Sequence, residues 1–283
     1  MTAPPDLPTT DQAGLPELSA QYTDYAAWQR ESLSQGVLDE QLRYWRERLA
    51  GAPPLLELPT DRQRPAVPSY RGDRVAIRVS SGLVADLQSL CHRTNSTMFM
   101  ALFAAFALQI AHLSERTDII VGTPVANRNR EELEHLIGFF VNTVVLRVDL
   151  AGNPTVDQLM ARVKEAAVGA YAHQDAPFER VVEQLSPPRT RRYAPVFQVM
   201  FMMQKPVEAP VELPGLRWEH VEIDPGVAKV DLSVSLQENG DEITGCMEFS
   251  TDLFDPDTVR AMADEYVRVL EKLVEGSTVA HHR

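Results

Sequence analysis

One segment near the middle of the chain predicts a helix that is apolar on nearly all sides. Residues 99–110 are almost entirely phenylalanine, leucine, isoleucine, methionine and alanine, inside a predicted helix over 97–113. A helix that lacks a polar face is buried by its neighbours. The apolar run 98–111 is too short and too rich in alanine to cross a membrane. We therefore expect this helix inside a sizeable core, which a chain of 283 residues with 44% apolar residues can supply.

Apolar runs and alternating apolar residues predict the strands. The run at 118–121 leads into Gly122-Thr123-Pro124, which indicates a turn. The early part of 139–150 is apolar on both faces, which indicates a central strand. The predicted strands are 73–79, 118–121, 139–150, 195–203 and the two arms of a hairpin over 230–249, whose turn holds Asn239-Gly240.

Helical spacing of apolar residues and capping signals predict the helices. Thr155 and Gln158 form a capping box, and Asp255-Pro256 supplies an N-cap followed by a proline at the first helical position. Helices and strands interleave early, and strands gather late. This order favours a layered α/β (α+β) fold, a sheet with helices packed on one face. Besides the apolar helix, the predicted helices are 22–33, 37–49, 82–94, the one capped by Thr155, 177–185 and the one after Asp255.

Prolines divide the N-terminal part of the chain. Residues 1–18 hold four prolines among polar residues, which predicts a disordered or extended leader. Five more prolines between residues 51 and 72 exclude a regular element and predict a long ordered loop or a linker. We interpret the rest of the chain, 19–283, as one domain that contains this loop.

Charge and cysteine content narrow the function classes. The net charge of −13 disfavours nucleic acid or an anionic membrane as a partner, because both attract basic surfaces. Two local basic clusters, within 128–130 and 189–192, are either solvated loops or contacts for an anionic carrier protein or its phosphopantetheine arm. Cys91 and Cys246 lie far apart and predict no disulfide framework. Without a recognisable signal peptide or membrane span, we expect a cytoplasmic protein.

Several short strings, each weak alone, occur together in a specific order and spacing. They resemble the signature segments of condensation domains, the peptide-bond-forming units of nonribosomal peptide synthetases. The resemblance runs from about Tyr22 to the final helix. The strings are YTDYAAWQ (22–29), VGTPVANR (121–128), IGFFVNT (137–143), HQDAPFE (173–179) and APVFQVMF (194–201).

The resemblance implies a chloramphenicol acetyltransferase-like fold, a mixed sheet with helices packed on it. A complete domain of this family has two such halves, with the active site in a tunnel between them. The family's His-His-x-x-x-Asp-Gly loop lies in the first half. This sequence contains no Asp-Gly dipeptide, and its one His-His pair is at 281–282. We therefore interpret the chain as the C-terminal half, without a catalytic residue of its own. The resemblance further implies no bound cofactor, with substrates carried on the phosphopantetheine arms of carrier proteins.

Three residues of the matching strings have an open role. His173 is a candidate base, although the family pattern favours a role in orienting the following turn. Asn142 interrupts an apolar strand, so its amide must find a partner. It either lines the tunnel or is a satisfied core amide. Arg128 either pairs with the aspartate of the family's catalytic loop, as the resemblance suggests, or is a solvated loop residue.

Three further polar residues are candidates for supporting the tunnel or the loop. Gln198 alternates with Phe197 and Val199, so its side chain is expected to point the opposite way from theirs, towards the cleft. Arg147 closes the string that begins at 137. Asp231 opens the hairpin, where it either supports the site or simply ends a strand. Spacing typical of metal ligands is absent from the sequence, so we expect no metal site.

Three functions stay open from the sequence. The chain is half of a split condensation enzyme that binds an N-terminal half in cis or in trans. Alternatively, it is a non-catalytic module that docks carrier proteins or tailoring enzymes. The third hypothesis, a self-sufficient acyltransferase, requires His173 or another histidine to replace the missing base. A homodimer would rebuild a two-lobed cleft, but still without the catalytic loop.

Overall fold

The computed structural model describes residues 18–34, 36–188, 190–204 and 223–276. Three features of the sequence analysis lie outside these residues: all but Leu18 of the proposed leader, Arg189 of the basic cluster, and the His281-His282 pair.

In the described part of the chain, six strands form one mixed sheet. They are β1 (Gly72–Val79), β2 (Asp118–Val125), β3 (Asn142–Asp149), β4 (Val199–Gln204), β5 (Leu232–Asn239) and β6 (Glu242–Ser250). Their order across the sheet is β1-β6-β5-β4-β2-β3. The pairs β1–β6, β6–β5 and β2–β3 are antiparallel, whereas β4 is parallel to β5. β2 also runs parallel to β4, but these two strands pair at a single position, Gly122 with Met200.

Seven α-helices accompany the sheet within the described ranges. They are α1 (Tyr22–Ser34), α2 (Val37–Arg48), α3 (Ser81–Thr94), α4 (Met98–Ser114), α5 (Val156–Ala172), α6 (Phe178–Leu185) and α7 (Pro256–Val274). α4 contacts α3, α5 and α7, all four helices contact the sheet, and they form the main core with its apolar face. Together with the mixed sheet, this layer confirms the predicted α/β architecture with helices packed on the sheet.

α4 is the centre of the core, as its sequence predicts. Every residue from 100 to 111 is buried, including Gln109. The Gln109 side chain donates to the Met262 carbonyl at 2.5 Å, and the Tyr266 hydroxyl donates to the Leu102 carbonyl at 3.0 Å. α7 therefore satisfies polar groups of α4 and also covers it with apolar side chains.

Local signals placed several element boundaries correctly. The Thr155–Gln158 capping box is present in full, and Pro256 occupies the first turn of α7 after Asp255. Gly240 has a φ of +67° in the turn between β5 and β6, a conformation that glycine adopts readily. The hairpin register that follows pairs Leu232 with Phe249.

Two strand predictions were wrong. The segment Gly122-Thr123-Pro124 is not a turn but the second half of β2. β2 pairs with β4 only at Gly122, so Pro124 lies beyond that ladder, where a missing N–H is tolerated. The strand predicted over 139–150 begins at Asn142 and lies at an edge of the sheet. Its consecutive residues Val144, Val145 and Leu146 are nevertheless buried on both faces, because they belong to the main core and α5 packs on this strand.

Candidate functional site

Asn142 holds the turn that joins α5 to α6. Its amide nitrogen donates to the carbonyls of Gln174 and Ala176, at 2.7 and 2.8 Å, and its amide oxygen accepts from the backbone N–H of Phe178 at 3.1 Å. The amide side chain is half-buried and makes all three bonds to one backbone segment. In this position it fixes the shape of the turn over 173–178.

α2 contributes two more side chains to the same turn. The Trp45 indole donates to the His173 carbonyl at 2.9 Å, and the Gln41 oxygen accepts from the Ala176 N–H at 3.3 Å. The sequence analysis missed both residues. The available signal was weak: Gln41 is a polar residue beside the apolar positions of a helix.

His173 caps the end of α5. Its ring is stacked on Tyr44, with ring centres 3.8 Å apart and planes 3° from parallel. Its Nδ1 lies 2.8 Å from the Gly169 carbonyl, to which it donates in the tautomer with a proton on Nδ1. These contacts orient the turn, the role that the family pattern favours.

Arg128 lies between two parts of the loop that precedes β3. Its guanidinium donates to the Leu133 carbonyl, and its Cζ atom lies 4.2 Å from the centre of the Phe140 ring. A small apolar cluster, separate from the main core, adjoins Arg128 and consists of Phe140, Leu133, Leu136 and Tyr25. Arg128 therefore stabilises this loop from within the chain.

Arg147 joins the edge of the sheet to the end of α2. Its guanidinium makes a two-point ion pair with Asp118, at 2.8 and 2.7 Å, and also donates to the carbonyls of Arg48 and Ala50. Arg48 donates in return to the Arg147 carbonyl at 2.7 Å. The hydrogen bond to the Asp118 carboxylate raises the pKa of the Arg147 guanidinium above its ordinary value. These contacts cap the exposed edge of β3.

Gln198 and Asp231 hold the proline-rich segment, which contains neither helix nor strand between α2 and Arg71. The Gln198 amide accepts from the Leu56 N–H at 2.7 Å and donates to the Pro54 carbonyl at 3.3 Å. Its side chain points to this segment, and the residue is 1% exposed. Asp231 makes a two-point ion pair with Arg64, a partner that the sequence analysis did not anticipate.

The six candidate residues lie in three places. Asn142, His173 and Arg128 surround the start of β3, Gln198 and Asp231 adjoin the proline-rich segment, and Arg147 lies further along β3. Each binds groups of its own chain, so a role in a substrate tunnel stays a prediction. Among the residues that the structure describes, no three His, Cys, Asp or Glu side chains are grouped as metal ligands would be. Within the same ranges, no single helix is long and apolar enough to cross a membrane.

The segment before β3 exposes an apolar ridge (Ile137, Phe139 and Val141). These side chains are 95%, 79% and 50% exposed, whereas Phe140 between them is buried. Tyr22 of α1 fixes the ridge, because its hydroxyl donates to the Phe139 carbonyl at 2.9 Å. Gly138 is required there, since a Cβ atom at this position would lie 2.3 Å from the Tyr22 ring. α1 thus holds the backbone of the ridge in place, although the ridge is exposed and apolar.

Comparisons with known proteins agree with the matching strings. The family model described as the condensation domain matches residues 9–282. A component of the linear gramicidin synthase of Brevibacillus parabrevis is 45% identical over 262 residues, which cover 92% of this chain and 5% of that protein. Malpinin synthetase from Mortierella alpina is 47% identical, over 88% of this chain and 3% of that protein. The chain therefore spans a small part of these relatives.

Solved structures agree on the fold. The crystal structure of the X-domain from teicoplanin biosynthesis is 32% identical with a TM-score of 0.85, and the match covers 94% of this chain and 62% of that chain. The same X-domain in complex with OxyB matches at 33% identity with a TM-score of 0.85.

Proposed function

Because this chain belongs to the condensation-domain family of nonribosomal peptide synthetases, we propose that it is the C-terminal part of a condensation domain. It would complete an amide-forming site when the part that carries His-His-x-x-x-Asp-Gly packs on it. In that reaction the amine of a carrier-bound acceptor attacks a carrier-bound thioester. The amide bond forms, the thiol of the donor arm leaves, and the amine proton passes to a base outside this chain.

The apolar ridge is the observation that carries this proposal. Exposed apolar side chains that are grouped on one segment are typical of a surface that another protein part covers. The ridge belongs to the string IGFFVNT, which in complete domains lies where the two halves meet, as the resemblance implies. The X-domain structure, of which this chain covers 62%, supports the presence of a further part in a complete domain.

The contacts of the site residues suggest what this chain contributes. Asn142 holds the turn over 173–178, and Arg128 holds the loop that carries the ridge. Both would act by keeping the wall of the tunnel in shape before the other half binds, which lowers the cost of ordering at binding. The pairing of Arg128 with the aspartate of the catalytic loop is a further part of this proposal.

A condensation assay tests the proposal. Donor-loaded and acceptor-loaded carrier proteins are mixed with the chain alone, and then with a condensation-domain N-terminal half added. The dipeptidyl product is measured by mass spectrometry. We expect product only with the added half. Product from the chain alone would overturn the proposal, and so would the lack of product when both halves demonstrably bind each other.

A ridge variant links the assay to the structure. Phe139→Ser should weaken association of the halves by about tenfold or more, because truncating a central apolar anchor costs about 2–4 kcal/mol. Val168→Ser is the matched control, since Val168 is 54% exposed on α5. It should leave association unchanged. Equal effects of the two substitutions would show that the ridge is not the contact surface.

A second candidate is a docking module for carrier proteins or tailoring enzymes. It is favoured by the similarity to an X-domain whose structure was determined in complex with OxyB. In the same assay, a docking module would bind carrier proteins or a tailoring enzyme and give no product with any added half.

A further inference from the structure

A cavity of about 290 Å³ lies between α1, the loop after β2 and the turn that joins α5 to α6. It is separate from the apolar ridge and from the proline-rich segment. Tyr25 and Trp28 contribute two aromatic rings to its wall, and Asp175 contributes a carboxylate. A cavity of this size is at the lower end for ligand sites, so it suits a group no larger than an amino-acid side chain.

Several hydrogen-bond acceptors of this wall have no donor in the described part of the chain. Asn127 and Gln29 each donate through their amide nitrogen to the Tyr25 hydroxyl oxygen, at 3.1 and 3.3 Å. This arrangement leaves the amide oxygen of each side chain without a partner among the described residues. Because that oxygen is an acceptor, the wall presents two amide oxygens beside the Asp175 carboxylate.

The carboxylate of Asp175 has no partner among the residues that the structure describes, although the backbone of this residue is held in place. Its carboxylate makes no ion pair or hydrogen bond within the described ranges, and the residue is exposed. The backbone on either side is fixed, since the Gln174 and Ala176 carbonyls both accept from the Asn142 amide. The carboxylate is close enough to the Tyr25 hydroxyl that its charge, after burial and Tyr22, raises the pKa of that group.

The aromatic wall already contacts a cation. The Cζ atom of Arg130 lies 4.2 Å from the centre of the Trp28 ring, although Trp28 is 41% exposed. A cation is attracted to the face of an indole in this geometry. Arg130 is an exposed loop residue, so it is a competitor that can leave. It is also the one cationic side chain among the described residues that line the cavity.

We propose that this cavity binds a small primary ammonium group. The aromatic rings and Asp175 supply the charge complement, and the amide oxygens of Asn127 and Gln29 accept its N–H donors. A neutral alcohol of the same size offers one donor and no charge, and an anionic ligand is repelled by the Asp175 carboxylate. The proposal does not depend on the condensation reaction, because it rests on the cavity alone.

A titration of the full ¹⁵N-labelled chain tests the proposal. The indole N–H signal of Trp28, assigned with Trp28→Phe, is followed by NMR as n-butylammonium chloride is added at constant ionic strength. We expect a saturable shift. n-Butanol, which has the same chain without the charge, should give none. A shift of equal size with n-butanol, or no saturable shift with the amine in either the wild type or Arg130→Ala, would overturn the proposal.

Two substitutions on the cavity wall should act in opposite directions. Asp175→Asn keeps the shape and removes the charge, so binding should weaken about tenfold or more, as for a charge-assisted hydrogen bond. Arg130→Ala removes the competing cation and should tighten binding by about threefold, the size of an exposed cation–π contact. Asp264→Asn, at an exposed position on α7, is the control and should change nothing. Binding to Asp175→Asn that equals binding to the wild type would refute the site.

Discussion

Substitutions of Asn142 test whether its side-chain hydrogen bonds stabilise the turn that joins α5 to α6. The substitution Asn142→Ala removes three hydrogen bonds to the backbone over 174–178. At about 1 kcal/mol net for each bond, the loss is about 3 kcal/mol. The site is half-buried, so water replaces part of what is lost. We therefore expect a loss of about 2 kcal/mol in the free energy of unfolding, or about 4 °C in Tm for a chain of this size.

Asn142→Asp separates hydrogen bonding from mere side-chain volume. The aspartate keeps the acceptor for the Phe178 N–H but loses both donors, and its carboxylate then faces the carbonyl oxygens of Gln174 and Ala176. At neutral pH this variant should be less stable than Asn142→Ala, although it is nearly isosteric with the wild type. Protonation of the new carboxyl group should narrow the difference as the pH falls.

Denaturant unfolding followed by circular dichroism measures both variants. Asn129→Ala is the control, because Asn129 is exposed and its side chain makes no hydrogen bond among the described residues. The control should stay within about 0.5 kcal/mol of the wild type. The reasoning is refuted if Asn142→Ala matches the control, or if Asn142→Asp is the more stable of the two variants at neutral pH.

Two further predictions concern charge. Asp231→Ala strands the Arg64 guanidinium, whose side chain is 14% exposed, and should cost about 3 kcal/mol in denaturant unfolding. Asp257→Ala breaks the exposed pair with Arg260 and should cost less than about 0.5 kcal/mol, so equal losses would contradict the argument. Burial raises the pKa of the Glu248 carboxyl group in the folded state. With respect to this group, the stability of the protein is therefore highest below the unfolded-state pKa, and it falls as the pH rises from that value through the raised folded-state pKa. The free energy of unfolding of Glu248→Gln should therefore fall less than that of the wild type between acidic and neutral pH. Parallel profiles of unfolding free energy against pH would refute this.

The sequence predicted the parts of the fold that local chemistry decides. α4 follows from its lack of a polar face, and α5 from a capping box that satisfies its own first turn. The β5–β6 hairpin follows from alternation and from Gly240. In each case the prediction depends on residues that are close together in sequence, so it required no knowledge of distant contacts.

The errors occurred where distant residues decide. Gly122 looked like a turn residue, but the Phe197 ring lies where its Cβ would be, 2.5 Å from the ideal position. Glycine is therefore present for close packing inside a strand. β3 looked central because the early part of the predicted strand is apolar on both faces. Whether a strand lies at an edge depends on pairings that the local pattern does not encode.

The candidate site shows the same division. The family-like strings drew attention to Asn142, His173 and Gln198, which all make well-defined contacts in the structure. The strings did not predict the partners in those contacts. Gln41 and Arg64 bind backbone or side chains more than 100 positions away in sequence, at Ala176 and Asp231. Nothing in the local sequence around a polar residue of a helix or a proline-rich loop predicts such a distant contact.

The single position at which β2 pairs with β4 divides the sheet into two unequal mechanical units. On one side, four strands are joined by ladders of six to eight paired residues, and on the other side β2 and β3 share eight. Between these units the backbone contributes a single paired position, so cohesion there depends on side chains such as Phe197 against Gly122. Amide protons in the two ladders are thus expected to exchange as separate cooperative groups. We therefore expect the twist of the sheet to vary more at this seam than at the other strand pairings.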